Sequence, residues 1–437
     1  MSSPSFEIKA KRISDSRGRP TVQATLTVGD ISGMGDVPAG ASKGEDEART
    51  VDADEAVRNI HEVLAPMMQK AALDLRQHAN VVRLDRMMVE KAGANFAHLG
   101  ANAVVPVSRA LWQAAARLQG TELYAYIRQH EPDAIAGPGP VRFFMNIFNG
   151  GLHALKKADG EVLGRDRIDI QEVMIVPMSG KSYRDALAMG DKIDQELKAM
   201  LAKSFGAAKV TRADEAGFSV KGLGDSSQAI DLVFEAIGRA GFAAGRDVKL
   251  ALDVAAASFY DKKTRRYQFR GESVDSAALI AFYVDLVKKY PGKVLSIEDG
   301  LDENDWSAWP KLSAAMKTHE VITIGDDLFV TQLPRLERGV REQAAHAILI
   351  KVNQNGSMVG TLDVMKYAKQ HGMQCVISHR SGETLDDSIA DLAYATGALG
   401  LKTGDPQPEV DFPDRSTWVR RQKYLRMVAI EGHDQHK

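Results

Sequence analysis

Residues 346–356 read HAILIKVNQNG. Ala347 to Ile350 is an apolar run of strand length that ends on Lys351, and Asn353, Asn355 and Gly356 then turn the chain. A lysine at the end of a buried strand loses hydration. Desolvation pulls its ammonium toward the neutral form, which makes Lys351 a candidate general base. Alone, Lys351 reads more readily as a lysine merely leaving the core, because buried lysines are rare. Its surroundings decide the matter, because the pattern recurs along the chain.

Working outward, VKLALD ends on Asp253, VLSIED on Glu298 and Asp299, and VITIGDD on Asp326 and Asp327. Beyond Lys351, QCVISHRS ends on His379, Arg380 and Ser381, and GALGLK on Lys402. Amphipathic runs separate these strands: Ser226 to Arg239, capped by Ser226 or Ser227, then Asp275 to Tyr290, then Met358 to Gln370. Strand and helix alternate as in β/α units. In a closed β/α barrel the C-terminal strand ends meet on one face, where such barrels place their sites. Barrel stability does not require a titratable group at each of those ends.

The chain has 437 residues, too long for one ordinary core. Gly137 to Pro140, GPGP, is the expected boundary between an N-terminal α+β domain, residues 1–136, and a barrel domain, residues 141–437. In the first domain, Phe6 to Ile13 and Thr21 to Val28 flank the turn DSRGRPT and predict a hairpin. A loop of small residues, Val37 to Gly44, follows, and then helices over about 54–68 and 101–118. Hydrophobic content of 44%, charged content of 26% and a net charge of −2 suit a globular protein and give no footprint for nucleic acid or a membrane. The single cysteine, Cys375, excludes an internal disulfide framework and suits a reducing compartment, so a cytoplasmic location is expected.

Asp253, Glu298 and Asp326 are hard oxygen ligands on neighbouring strands, which favours Mg²⁺ over zinc. Arg380 can grip a phosphate as a fork, and Ser381 can donate beside it. A lysine base beside a metal-held carboxylate points to proton abstraction next to that carboxylate; enolase-superfamily sites are the general example of this arrangement. Loss of a β-hydroxyl then needs an acid. A glutamate crowded by other carboxylates would have the raised pKa the role asks for, with Glu172 and Glu215 as candidates. In a competing reading the carboxylates simply pair with Lys351 and Lys402.

Nearly end to end, the sequence resembles the enolases. The resemblance rests on DSRGRPT, GASKG (40–44), MNIFNGGLH (145–153), DIQEVMIVP (169–177), DEAGF (214–218), LDVAAASFY (252–260), SIEDG (296–300), GDDLFVT, LIKVNQNG, SHRSGET (378–384) and LKTG (401–404). It implies a modified β/α barrel under a small N-terminal α+β domain, two Mg²⁺ ions, and interconversion of 2-phosphoglycerate and phosphoenolpyruvate. It further implies Lys351 as the base at C2 and Glu215 as the acid at the C3 hydroxyl, with Glu172 and His153 nearby. Asp253, Glu298 and Asp326 would hold the first ion, and Ser42 the second. Arg380, Ser381, Gln171, His379 and Lys402 would contact substrate. A homodimer is expected on the same basis.

Several positions depart from the family pattern. Lys43 replaces a small loop residue, and a charged stretch, LKKADGEVLGRDRID, lengthens the segment between His153 and Glu172. DEGG has become Asp214-Glu215-Ala216-Gly217, and Lys11 and Arg415-Ser416-Thr417-Trp418 differ in regions tied to the dimer. The changes surround the proposed site residues and spare them. They leave open a paralogue acting on a related substrate, such as one making carboxyphosphonoenolpyruvate, and a non-catalytic binding protein on the same fold.

Overall fold

A computed structural model describes residues 6–40, 44–136, 139–151, 153, 157–158, 161–162, 169–407 and 416–434. Ser42, Lys43, Arg415 and most of the charged stretch after His153 lie outside the described residues.

The N-terminal sheet holds β1 (Phe6–Ser14), β2 (Pro20–Val28) and β3 (Ile31–Asp36), antiparallel in that order. The predicted hairpin is present, and β3, which sequence patterning did not reveal, extends it. β3 carries Gly33 and Gly35 because helix α1 (Ala101–Leu118) lies directly on it. A Cβ at Gly33 would sit 2.1 Å from the Ala110 carbonyl oxygen, and one at Gly35 would sit 2.4 Å from that of Pro106. The alanine-rich face of α1 is the other half of this close packing.

Eight strands close the barrel: β4 (Arg142–Asn149), β5 (Glu172–Pro177), β6 (Val248–Asp253), β7 (Val294–Glu298), β8 (Ile322–Gly325), β9 (Ala347–Ile350), β10 (Gln374–Ser378) and β11 (Gly400–Lys402). β11 pairs with β4 to complete the circle. Side chains such as Phe144, Met174, Ala251, Leu349 and Val376 fill the interior, while the larger core lies between barrel and helices. Of the three predicted flanking helices, Ser226–Arg239 and Met358–Gln370 take the predicted bounds and the third runs Ser276–Lys289, one residue shorter at each end; one cap differs. Helix Ser226–Arg239 is capped by Asp225, whose carboxylate accepts from Gln228 N at 2.9 Å, rather than by a serine. Ser226 instead accepts from the backbone of Asp169 and Ile170.

One strand runs against the rest. β5 is antiparallel to both β4 and β6, with Glu172 opposite Asp253. This reversal places the first residue of β5, Glu172, at the mouth where its neighbours place their last. Among the described residues, no helix is long and apolar enough to cross a membrane.

Candidate active site

The strand ends converge on a cavity of about 280 Å³ lined by His153, Glu172, Glu215, Asp253, Asp326 and Lys351, with Gln171, His379, Arg380, Ser381 and Lys402 also on its wall. A larger cavity, about 740 Å³, lies by Val141 and Pro177 at the other end of the barrel and contains none of these groups.

Lys402 enters from β11, and only 4% of its side chain is exposed. Its ammonium donates to Asp253 Oδ2 and Glu298 Oε1, each at 2.8 Å, and lies 3.2 Å from Glu172 Oε2. Burial alone would pull this ammonium down, but the three carboxylates outweigh burial and hold it well above the ordinary lysine range. Lys351, from the end of β9, donates to Asp326 Oδ2. Here the structure corrects the expectation of a lowered pKa. Burial pulls the Lys351 ammonium down, but the Asp326 carboxylate beside it wins, and the group stays above its ordinary value.

The competing pairing of carboxylates with lysines is therefore what the protein alone shows. It does not consume every acceptor. Glu298 Oε2 is buried without a hydrogen-bond partner, and Glu172 Oε2 has only the looser ion pair with Lys402. Burial, then the nearby Asp253 carboxylate, push the Glu298 carboxyl well up. Buried carboxylate oxygens crowded together in this way fit a hard divalent cation, which would satisfy the orphaned oxygen and relieve their repulsion. A second cluster, Asp299, Asp326 and Asp327, brings one oxygen from each within 4.8 Å of the others. Asp299 serves as a clip there. Its two oxygens accept from Asp326 N at 2.9 Å and Asp327 N at 2.8 Å, fixing the loop that carries Asp326.

On the other flank, His153 Nδ1 lies 3.1 Å from Glu172 Oε1, and His379 Nε2 lies 2.8 Å from Glu215 Oε2. The two candidate acids diverge. Burial and the neighbouring Glu215 charge push the Glu172 carboxyl up, as the sequence suggested. For Glu215 the expectation fails. Burial pushes it up, but His379, His153 and Arg420 outweigh burial and hold it well below the ordinary carboxylate range. His379, expected to contact substrate, lies on the cavity wall with a side chain only 1% exposed and pairs with Glu215.

Arg380 is buried and already held. Its guanidinium meets the Glu47 carboxylate at 2.6 and 3.2 Å and Asn353 Oδ1 at 3.0 Å. Glu47 was not singled out by sequence, although it lies three residues beyond the GASKG loop. Thr331 and Gln354 were missed as well. Thr331 Oγ1 accepts from Lys351 N at 2.9 Å, and Gln354 Nε2 donates to Asp326 Oδ1 at 3.1 Å, so both steady the base and its partner. DSRGRPT proves to be more than a turn. Arg17 pairs with Asp214, next to Glu215, and Ser16 exchanges hydrogen bonds with Glu383.

Backbone strain gathers at this face. Glu215, Ala216, Ala255, Asp299, Val330 and Thr331 all hold positive φ without being glycine. Such conformations persist where the surroundings over-determine them, and they concentrate at functional sites.

Two family models cover the described domains. The enolase N-terminal domain matches residues 6–127, and the enolase C-terminal TIM barrel domain matches residues 138–431. The chain belongs to the enolase family. Membership in the enolase family places it among lyase-type enzymes that typically use Mg²⁺, and the barrel mouth is the face on which such chemistry is built.

Proposed function

We propose that this enolase-family protein catalyses the reversible, Mg²⁺-dependent dehydration of 2-phosphoglycerate to phosphoenolpyruvate. The observation that carries the reading is one small cavity that holds the buried pair of Lys351 and Asp326 together with Asp253 and Lys402, next to a Glu298 carboxylate whose second oxygen is buried without a hydrogen-bond partner. Asp253, Glu298 and Asp326 would hold Mg²⁺, and Ser42 is the proposed ligand to a second ion. Bound there, the ions supply charge stabilisation for the doubly negative carboxylate formed when the C2 proton leaves.

The chain's own groups account for the rest. Lys351 has a single carboxylate partner. A cation held by Asp326 would offset the charge that keeps the lysine protonated, and Lys351 would then be the group to accept the C2 proton. Lys402 is positioned to meet the substrate carboxylate. Arg380, Ser381 and Gln171 bind the remaining polar groups, with Glu47 and Asn353 holding the guanidinium plane for a phosphate. Glu215 is the proposed acid at the departing C3 hydroxyl; ionised in the protein alone, it has to take up a proton from water as substrate binds before it can serve there, and Glu172 with His153 completes that wall. We place the reaction in the cytoplasm, in line with the lone buried Cys375. We also propose a homodimer, for which the exposed Met34, Leu385, Trp418 and Leu425 offer apolar surface.

The test is purified protein with Mg²⁺ and 2-phosphoglycerate, followed by the ultraviolet absorbance of phosphoenolpyruvate. Turnover in the usual enzymatic range of roughly 1–10³ per second is expected. Absent turnover, with Mg²⁺ still raising the melting temperature, would replace this substrate by another acid of the same kind bearing a different phosphorus group.

A further inference from the structure

Arg420 sits on the C-terminal helix, Ser416–Asp434, and is fully buried. Its Nη1 meets His379 Nδ1 and donates to the Arg380 carbonyl at 3.2 Å, and its Nη2 donates to the Ser381 carbonyl at 2.7 Å. A guanidinium carries donors only and stays protonated in proteins. His379 Nδ1 must therefore be the acceptor, and the proton of the neutral ring must sit on Nε2. That nitrogen is the one 2.8 Å from Glu215 Oε2. The arrangement is a one-way relay of donors: Arg420 to His379 to Glu215.

The packing is built for it. Gly404, at φ +75°, has no room for a side chain. A Cβ there would lie 2.5 Å from Arg420 Cδ and 2.8 Å from the Glu215 carbonyl oxygen. The next residue, Asp405, donates its backbone N–H to that same carbonyl at 3.1 Å. The Glu215 loop and the Arg420 side chain are thus clamped against one another at LKTG.

We propose that Arg420 is a positioning residue that fixes the Nε2–H tautomer of His379 and thereby controls the hydroxyl-loss half of the reaction, without touching substrate. This rests on the function proposed above. In the dehydration direction Glu215 first takes up a proton from water as substrate binds; the C3–O bond then breaks, its electron pair leaves with the oxygen, and that proton goes to the oxygen to make water. The product state holds a Glu215 carboxylate, which the His379 N–H stabilises. In hydration the same carboxylate takes a proton from water as the oxygen bonds to C3. With the other tautomer, a bare nitrogen lone pair would face the carboxylate, raise the cost of forming it and slow hydroxyl loss. Proton removal at C2 by Lys351 does not depend on this relay.

Two rates on the full-length protein with Mg²⁺ and 2-phosphoglycerate separate the halves: deuterium entry from solvent at C2, and formation of phosphoenolpyruvate. Arg420→Met should lower product formation about 100-fold, the upper end of the losses seen when a group orienting an active-site histidine is removed, while C2 exchange stays within about threefold of the unmodified protein. Arg420→Lys keeps a donor and should recover at least about tenfold of the loss. Equal loss of both rates, or no loss of product formation, would overturn the proposal. Because Arg420→Met removes a buried group and can destabilise the chain, ¹⁵N NMR of the unmodified protein's imidazoles provides a second reading. The His379 signals are identified by their loss in His379→Asn. A bare Nδ1 with a protonated Nε2 is expected, and a proton on Nδ1 would refute the proposal whatever the variants do. If the unmodified protein neither exchanges nor dehydrates, the functional reading falls, and the NMR result still decides the role of Arg420.

Discussion

Two of the places where this molecule buries carboxylates do it differently. At the barrel mouth, Asp253, Glu298 and Asp326 face ammonium groups from Lys402 and Lys351. At the seam between the domains, Asp85 is fully buried with no cation bonded to it. Its Oδ2 accepts from Ser108 Oγ and Trp112 Nε1 at 2.9 Å and from Val359 N at 3.0 Å. The last of these bonds caps the helix Met358–Gln370, the element that follows Lys351. The seam meets its charge with dipoles alone, and burial pushes the Asp85 carboxyl up to about 6. The mouth meets charge with mobile charge that a cation or substrate can displace. In this pair of places, compensation by groups that an incoming cation or substrate could displace goes with the candidate site, and compensation by fixed dipoles goes with structure.

The comparison can be broken first at Asp326. Removing one partner of a buried pair leaves an uncompensated charge, at a cost of about 3–5 kcal/mol. Asp326→Ala should show a loss of that order in chemical unfolding without metal, and calorimetry should find Mg²⁺ binding weakened by at least about 100-fold. Unchanged Mg²⁺ affinity would remove Asp326 from the ligand set.

The seam should behave in the opposite sense. Its carboxyl binds a proton more tightly folded, at about 6, than an ordinary carboxylate at 3.8. The stability that Asp85 contributes is therefore fully present below pH 4, is lost as pH rises through about 6, and is flat above that. Asp85→Asn should cancel a slope on the order of 3 kcal/mol across that window. Denaturant titrations of both proteins at pH 4.5 and pH 7.5 isolate it as a difference; equal slopes would mean that Asp85 is no more perturbed than a surface carboxylate.

A smaller effect sharpens the picture of the mouth as the strained region. Ala216 holds φ +68° where the family pattern has glycine. Ala216→Gly should stabilise the protein by about 1 kcal/mol, read as a rise in melting temperature. A fall would show that the loop is not strained at that residue.

Much of this arrangement was legible in the sequence because it is local. A strand that ends on a charged residue is visible as a run of apolar letters followed by Asp, Glu or Lys, and six such runs set out the mouth. Glu172 was less legible. Its place depends on β5 running backwards, and strand direction leaves no trace in a six-residue apolar segment. The state of Lys351 was misread because desolvation can be inferred from a buried strand, whereas the partner that outweighs it, Asp326, belongs to another strand. Glu215 failed for the same reason: its controlling neighbour, His379, is distant in sequence. Glu47 and Arg420 carry no periodic or motif signal, since their partners at Arg380 and His379 are brought to them only by the fold.

The most direct test of the account is solvent deuterium entry at C2 of 2-phosphoglycerate, followed by proton NMR with Mg²⁺ present, in Lys351→Ala and Lys402→Ala side by side. General base removal should cost roughly 10²–10⁴-fold in rate. The account predicts that loss for Lys351→Ala with Mg²⁺ binding largely kept, while Lys402→Ala still exchanges once substrate is saturating. Exchange that survives in Lys351→Ala and disappears in Lys402→Ala would contradict it and assign the base to the other lysine.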